Sequence, residues 1–556
     1  MIARRRLFQR LSASLAGLLG RLRRDERGAI AVQFAFLALP IAILAFGLID
    51  MNRISLQRRQ LQDALDAATL IAARSTATTD AALDTVGDAA FLVEMNGLGV
   101  TLTAANSTFK AGTGNRVIGT VSVTIKPIIT NLWTRTDPTI TATSDVLRSV
   151  NKLEVALVLD NTGSMASTLG SGGTKIDALI DASKSLVDTL YAAAARASEA
   201  DAVKIAVVPF SMTVNVGSAY KNAAWLTGTL PAEYGSDVFA TRSNRFALHT
   251  AMGTSWTGCV ESRPDPYDIA DTAPSSSTPA TMFVPYFAPD EPDYSYRIYK
   301  YSSGSTTQTN YNYYTANDYA TDYAANPNAY GTPTDWFTRQ GVLAKYTSSS
   351  LRGGATAFDS GPNEGCGITS VLRMTNVRTS AGATTVKDKL DQMVATGNTN
   401  VAMGVVWGWH MVSPNAPFAD GSAYGTANVS KVLVLLTDGD NVMSESNNDN
   451  DSTYSGYGYV WQKRLKNASN VALDVGSTAN QRRDAMDSRQ TKACAAARAR
   501  GVVIYSIGVG VSTHSKAVLQ GCASTSDKYY DVTDSAQLAA VFDSIAGSIQ
   551  NLRIAK

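Results

Sequence analysis

Apolar and polar positions change rhythm several times along this chain. From Gly28 to Ile49, 22 residues run with Gln33 as the only strongly polar side chain. As a helix this segment spans about 33 Å, enough for a bilayer core of about 30 Å, so the pattern predicts a membrane helix over 28–50. Pro40 is expected to kink it. Ile54, Leu61, Leu65, Ala68 and Ala72 then recur at helical spacing, opposite Gln57, Arg58, Gln60, Gln62, Asp63 and Asp66. The helix is expected to run on as an amphipathic stalk over 51–97, its stripe packing on the chain's next segment or on a partner helix. Val100 to Thr103, Arg116 to Ile128 and Thr139 to Val146 read as β-segments, with turn residues at Gly112 to Asn115. They predict a small β module over 98–150.

From residue 151 the rhythm is strand, helix, strand. Val155 to Leu159 is wholly apolar, a helical pattern covers Ile176 to Ala197, and Lys204 to Phe210 is apolar again. Later come a helix at Asn400 to Val412, a strand at Val432 to Leu436, a helix near Arg482 to Arg500, a strand at Val502 to Val509 and a closing helix at Ser535 to Leu552. Short doubly buried strands alternating with helices predict an α/β domain over 151–552, a doubly wound, mostly parallel sheet covered on both faces. Between Ser211 and Val394 the alternation stops and Gly, Ser, Thr, Asn, Pro and Tyr dominate, which reads as a large irregular or β-rich insertion. Eleven of the 23 tyrosines fall between Tyr286 and Tyr330. They suit a surface recognising protein or glycan, or equally the interior of that lobe.

At 556 residues the chain exceeds what one core supports, and 45% hydrophobic with 17% charged residues is the composition of a folded protein. A net charge of +2 gives no electrostatic reason to bind nucleic acid. The average hides an asymmetry. Residues 1–27 carry eight arginines against Asp25 and Glu26, net +6, which leaves −4 for the rest. A basic segment before the span and mixed charges after it place the N-terminus in the cytoplasm and the bulk outside it. A cleaved signal peptide, for which Ala45-Phe46-Gly47 is a poor small-residue site, and a buried core helix are the alternatives. Cys259, Cys366, Cys494 and Cys522 all lie beyond the span and form no CxxC pair, which argues against zinc. Of the three possible pairings, the one nearest in sequence, Cys259 with Cys366 and Cys494 with Cys522, is favoured for an oxidising compartment, with buried free thiols as the alternative.

Two apolar strands end in acids: Val155 to Leu159 runs into Asp160, and Val432 to Leu436 into Thr437 and Asp438. In a doubly wound sheet the carboxyl ends of the strands form the ligand crevice, where neighbouring strands would bring these acids together. Asp160-Asn161-Thr162-Gly163-Ser164 places a carboxylate and two hydroxyls at alternate positions of one turn. Such a set suits a hard divalent cation, magnesium first, with manganese or calcium as substitutes. Because the hydroxyls are neutral, the ion keeps positive charge for an acidic group on a partner.

These residues resemble a known family. Asp160 to Met165, Gly397-Asn398-Thr399-Asn400 and Leu436-Thr437-Asp438-Gly439 look like the three parts of a metal-ion-dependent adhesion site in a von Willebrand factor A domain. The resemblance implies that Asp160, Thr162, Ser164, Thr399 and Asp438 surround the ion; Thr162 stands where Ser is commoner and keeps the hydroxyl. Arg23 to Val32, the apolar span and Arg59-Gln60-Leu61-Gln62-Asp63-Ala64 resemble the start of tight-adherence (Tad) pilus-assembly proteins of the TadG type, which also carry a C-terminal A-type domain. Prepilin-like relatives are cut after a Gly with Glu five residues on; Gln33 stands at that place after Gly28. The resemblance implies a non-enzymatic, single-pass protein of the bacterial inner membrane. Its exported domain would serve pilus assembly, anchoring or adhesion by gripping other pilus or envelope proteins through the ion.

Other chemistries fit less well. A phosphotransferase with Asp160 as nucleophile wants a second acid two residues on, where Thr162 stands. Ser164 lacks a nucleophile elbow, and His249, His410 and His514 are the only histidines, His410 reading as a packed helical residue. Gly170 to Lys175 lacks phosphate-loop spacing and reads as a lead into the helix. Asp449 to Thr453 lacks the glycine of a calcium loop, and Asp440 reads as a solvated acid. A scaffold whose metal serves only stability is the remaining reading.

Overall fold

The computed structural model describes residues 26–554, apart from 76, 78, 98–106, 113–115, 125–136, 138, 148–151, 171–172, 196, 198, 240, 303–304, 313, 323–334 and 353–359. The expected strand at Val100 to Thr103, most of the turn after Gly112 and nearly all of the basic segment 1–27 lie outside the described residues. The protein is mixed α/β and divides into two compact units, Met1–Arg148 and Ser149–Lys556.

In the first unit, α1 (Glu26–Arg74) is one unbroken helix that contains Pro40. Its first half bares Phe34, Phe36, Leu37, Ile41 and Leu44, all more than half exposed. It is the one helix among the described residues that is long and apolar enough to cross a membrane. Its second half behaves differently. Leu61, Leu65, Ala68 and Ala72 are buried against Leu83, Phe91 and Met95 of α2 (Asp80–Gly97) and against a three-stranded antiparallel sheet, β1 (Ser107–Gly112), β2 (Arg116–Thr124) and β3 (Thr139–Leu147). Of the two partners expected for the stalk's apolar stripe, the chain's own next segments take it, and the stripe is the other half of their core. Phe109 makes the close contacts: a Cβ on Gly87 would meet its ring at 2.2 Å, and one on Gly119 at 3.0 Å. The free edge of β1 is covered by acids one helical turn apart on α2. Asp80 accepts from Ala111 N (3.0 Å), Asp84 from Phe109 N (2.7 Å) and Asp88 from the Ser107 hydroxyl (2.6 Å), so these edge N–H groups are not left open to another strand.

The second unit is built on a six-stranded sheet. In chain order the strands of this sheet and the helices around it are β4 (Lys152–Asp160), α3 (Lys175–Ala195), β5 (Val203–Phe210), β6 (Leu372–Asn376), α4 (Ser380–Asp391), α5 (Val401–Val412), β7 (Val429–Thr437), α6 (Ala479–Ala499), β8 (Val502–Val509), α7 (Thr513–Cys522), β9 (Tyr529–Val532) and α8 (Ser535–Ile554). The strand order is β6-β5-β4-β7-β8-β9, parallel throughout except for the antiparallel edge strand β6. Alternation along β4 shows why both faces are covered. Leu153, Val155, Leu157 and Leu159 join the core under α3, α4 and α8, while Ala156 and Val158 join the core under α5 and α6. The chain leaves β4 towards β5 on one side and later returns to β7 on the other. The strand order thus reverses between β4 and β7, where such sheets hold their ligands.

The insertion expected over 211–394 ends earlier. Residues 372–391 return to the sheet as β6 and α4, and the polar edge strand Leu-Arg-Met-Thr-Asn has no apolar run to betray it. The lobe also takes a second stretch, between β7 and α6: Tyr454 and Tyr459 share one core with Tyr286, Phe287, Tyr319 and Tyr346. The described tyrosines divide, since Tyr286 and Tyr319 are buried while Tyr294 and Tyr314 are exposed. Charged groups complete the interior: Glu261 lies between Arg245 and Arg464, and Asp322 between Arg339 and Lys345. Two disulfides join Cys259 to Cys366 in this lobe and Cys494 on α6 to Cys522 on α7.

The bridges close loops of different size, with sequence separations of 107 and 28 residues. Loop-closure entropy then gives about 4.8 kcal/mol for the first and about 3.6 kcal/mol for the second. Guanidinium unfolding of the Cys259→Ser/Cys366→Ser and Cys494→Ser/Cys522→Ser variants should show the larger loss in the first; equal losses would mean that strain, not loop entropy, governs them.

Candidate functional site

The β4–β7 register fixes the site. Leu159 lies opposite Leu436, so Asp160 ends its strand beside Thr437 and Asp438 begins the next loop. Asp160 is fully buried; one carboxylate oxygen accepts from Thr162 N (2.8 Å) and the other from the Thr437 hydroxyl (2.6 Å). Residues 163–166 form a short 3-10 turn. It places the Thr162 and Ser164 hydroxyls 3.0 Å apart, and Ser164 donates to Asp438 (2.6 Å). Four of the five predicted residues are thus joined directly or through Thr437.

Thr399 arrives by backbone. Gly163 N donates to Gly397 O (2.9 Å), Thr396 N to Asn161 O (2.8 Å) and Val442 N to Thr399 O (2.8 Å), so the loop before α5 is stitched to both of the others. Gly397 takes φ +76°, a conformation that favours glycine. Thr399 is buried, and the next residue, Asn400, caps α5 by accepting from Met403 N. Asn441 ties the same helix start to α6: its carbonyl accepts from Val401 N (2.7 Å) and its amide donates to Asp487 (2.7 Å) and Gln490 (2.8 Å).

Burial, and after it the charge of Asp438, push the Asp160 carboxyl up to about 6. Sequence reasoning passed over the group that balances Asp438. Lys175, the first residue of α3, places its ammonium 2.7 Å from the other Asp438 oxygen. The glycine-rich stretch before it reads as a flexible lead-in, and no local pattern links residues 263 positions apart. Asp440 is not a solvated acid: it accepts from the Ser512 (2.8 Å) and Ser515 hydroxyls. Burial opposes these bonds, yet they hold its carboxyl below the usual range.

Beyond this rim, Asp484 and Asp487 of α6 and His514 of α7 bring three candidate ligand atoms within 4.8 Å of one another. His514 already bonds Asp487 at 2.6 Å. His410 is fully buried against Phe283 and Trp407, and burial holds it well below its ordinary pKa. Asp451, in the segment weighed as a calcium loop, is paired with Arg482 (2.7 Å).

Residues 28–75 match the family described as putative Flp pilus-assembly TadE/G-like. No curated protein matches the chain. Among solved structures, the pilus adhesin SpaC from Lactobacillus rhamnosus GG is 11% identical with a TM-score of 0.33, the match covering 81% of this chain and 35% of that one. This chain thus spans about a third of that adhesin. The PilB minor pilin from Streptococcus sanguinis is 11% identical with a TM-score of 0.32 over 81% of this chain and 78% of that one. The vWF domain of the type V pili tip protein Mfa5 from Porphyromonas gingivalis is 11% identical with a TM-score of 0.32 over 73% and 97% of the two chains.

Proposed function

We propose that the chain is a single-pass envelope protein of a Tad-type pilus system. Its second unit is a von Willebrand factor A-like domain that grips an acidic group on another pilus or envelope protein through a divalent cation. The topology follows the charge asymmetry, with the N-terminus cytoplasmic and the bulk outside the inner membrane. The observation that carries the reading is the bond from Ser164 to Asp438 beside buried Asp160, at the point where the strand order reverses. The donors are all oxygens, as a hard cation such as magnesium requires. By giving its proton to Asp438, Ser164 accepts the Thr162 proton on one lone pair and keeps the other for the ion. Nearby, Asn161 Oδ1 and Ser211 Oγ are buried without a hydrogen-bond partner, the kind of atom that the water shell of such an ion satisfies. Asp160, Thr162, Ser164, Thr399 and Asp438 are the residues that would hold it.

Two outcomes follow. Without metal, the raised carboxyl of Asp160 makes the folded state bind more protons than the unfolded state between about pH 4 and 6, so stability falls as pH rises through that window. The shift corresponds to about 3 kcal/mol at most. In EDTA at pH 7.5, Asp160→Asn should therefore unfold at equal or higher urea than wild type, and it should lose the gain that wild type shows on adding magnesium. A destabilised Asp160→Asn with an intact magnesium response would place the ion elsewhere, with the Asp484, Asp487 and His514 group the next site to mutate. Pull-downs from envelope extracts with the full-length protein should show partners that require both magnesium and Asp160, absent with Asp160→Ala or chelator. If chelation lowers Tm yet leaves capture untouched, the metal serves stability and the scaffold reading stands.

A further inference from the structure

Lys175 is the cation already at this rim, and its position comes from the same turn that presents the hydroxyls. Its backbone N–H donates to Ser167 O (2.9 Å), and the Ser167 hydroxyl donates to Ser164 O (2.6 Å). A bridge between Thr168 and Thr174, with Leu169 N bonded to Gly173 O (3.1 Å), closes the loop that leads into α3. The lysine is thus delivered by backbone bonds, while its ammonium sits at the end of four rotatable carbons with a side chain 15% exposed. Both oxygens of Asp438 have protein donors, Ser164 on one and Lys175 on the other.

We propose that Lys175 is a tethered counter-ion that holds Asp438 until a divalent cation displaces it, so that the lysine sets the concentration at which the rim loads. This rests on the metal-binding reading above. The charge count gives the reason. Asp160 and Asp438 supply two negative charges, and Lys175 leaves one of them uncompensated. A divalent ion arriving beside a stationary ammonium would bring the group to one net positive charge, with two cations crowded at one buried carboxylate. If the ammonium withdraws to solvent the group is neutral, and the flexible, partly exposed stem allows this without moving α3. Ser164 need not leave, because a hydroxyl donates to Asp438 and offers a lone pair to the ion at once. Among the described residues, Lys175 is the rim group whose bond to Asp438 the ion must break.

The test is calorimetric titration of the EDTA-stripped, full-length protein in detergent micelles with magnesium and with manganese, comparing wild type, Lys175→Gln, Lys175→Arg and Asp160→Ala. Lys175→Gln should bind about tenfold tighter than wild type, a fold-change set by removing one neighbouring charge. Lys175→Arg should bind more weakly, since its planar fork can take both oxygens of a carboxylate. In chelator Lys175→Gln should melt below wild type, and magnesium should close the gap. Should Lys175→Gln fold poorly, the order of lysine and arginine alone decides. Equal affinities across the lysine series, with binding abolished only in Asp160→Ala, would sink the exchange while leaving the metal site. Binding that survives Asp160→Ala, or no binding in wild type and Lys175→Gln alike, would take down the site itself. Binding in Lys175→Gln but not in wild type supports the exchange in its strongest form.

Discussion

The structure turns on two carboxylates held out of water at the ends of adjacent parallel strands. Nothing in the hydrophobic effect favours this. Val155 to Leu159 and Val432 to Leu436 are buried because they are apolar, and the register that pairs them carries Asp160 and Asp438 to the same buried rim. Burying like charges together is costly, and the surrounding loops can be understood as what offsets it. Thr437 and the Thr162 amide serve Asp160, while Ser164 and Lys175 serve Asp438. The backbone bonds among Gly163, Gly397, Thr399 and Val442 hold those donors in place.

This logic also explains which parts were legible in the sequence. A strand buried on both faces reads as an unbroken apolar run, so β4, β5, β7 and β8 were visible, and the acids closing two of them stood out. β6 was invisible because an edge strand with half-exposed Arg373 and Thr375 has nothing to distinguish it from the insertion around it. The acids lining α2 were passed over for a related reason: their meaning lies in the edge of β1, and spacing along a helix shows only a polar face. Lys175 could be found only by knowing which loops meet. The proposed roles of Asp160, Thr162, Ser164, Thr399 and Asp438 rest on the resemblance of three motifs to a family's site; residue chemistry alone reaches as far as two strand-end acids and a hydroxyl-rich turn.

The insertion lobe shows how a polar stretch builds an interior. It has few aliphatic residues, and its core joins tyrosine and phenylalanine rings and a few aliphatic side chains to one disulfide and ion pairs removed from water. Buried tyrosines bring a hydroxyl that needs a partner. Tyr319 donates to Ala288 O (3.0 Å), Tyr234 to Met282 O (2.6 Å) and Tyr346 to Gln340 O (3.2 Å), which ties loops to one another where helices and strands are sparse. Composition therefore misled about boundaries. Residues 372–391 share the lobe's polarity yet belong to the sheet, whereas Tyr454 and Tyr459 lie far along the chain yet complete the lobe's core.

The charge on the proposed ion follows from the way its neighbours are used. Without the ion Asp438 spends both oxygens on Ser164 and Lys175; with the ammonium withdrawn it still orients the Ser164 hydroxyl and adds its charge to that of Asp160. Thr162 and Ser164 are neutral donors. Asp160 and Asp438 together then balance a divalent ion, while the neutral hydroxyls leave it a coordination position open to an anionic ligand. A carboxylate from another protein is the group that such an ion attracts, and in a buried rim that attraction is weakly screened by salt. The same arrangement is poorly suited to phosphoryl transfer. The hydroxyl of Thr162 occupies the place where a proton-donating acid would be needed and is itself engaged with Ser164. The nearest further acid along the strand-end loop, Asp440, is turned towards Ser512 and Ser515. In the proposed role these residues would hold a cation that remains short of one ligand, and adhesion would ask for no more than that.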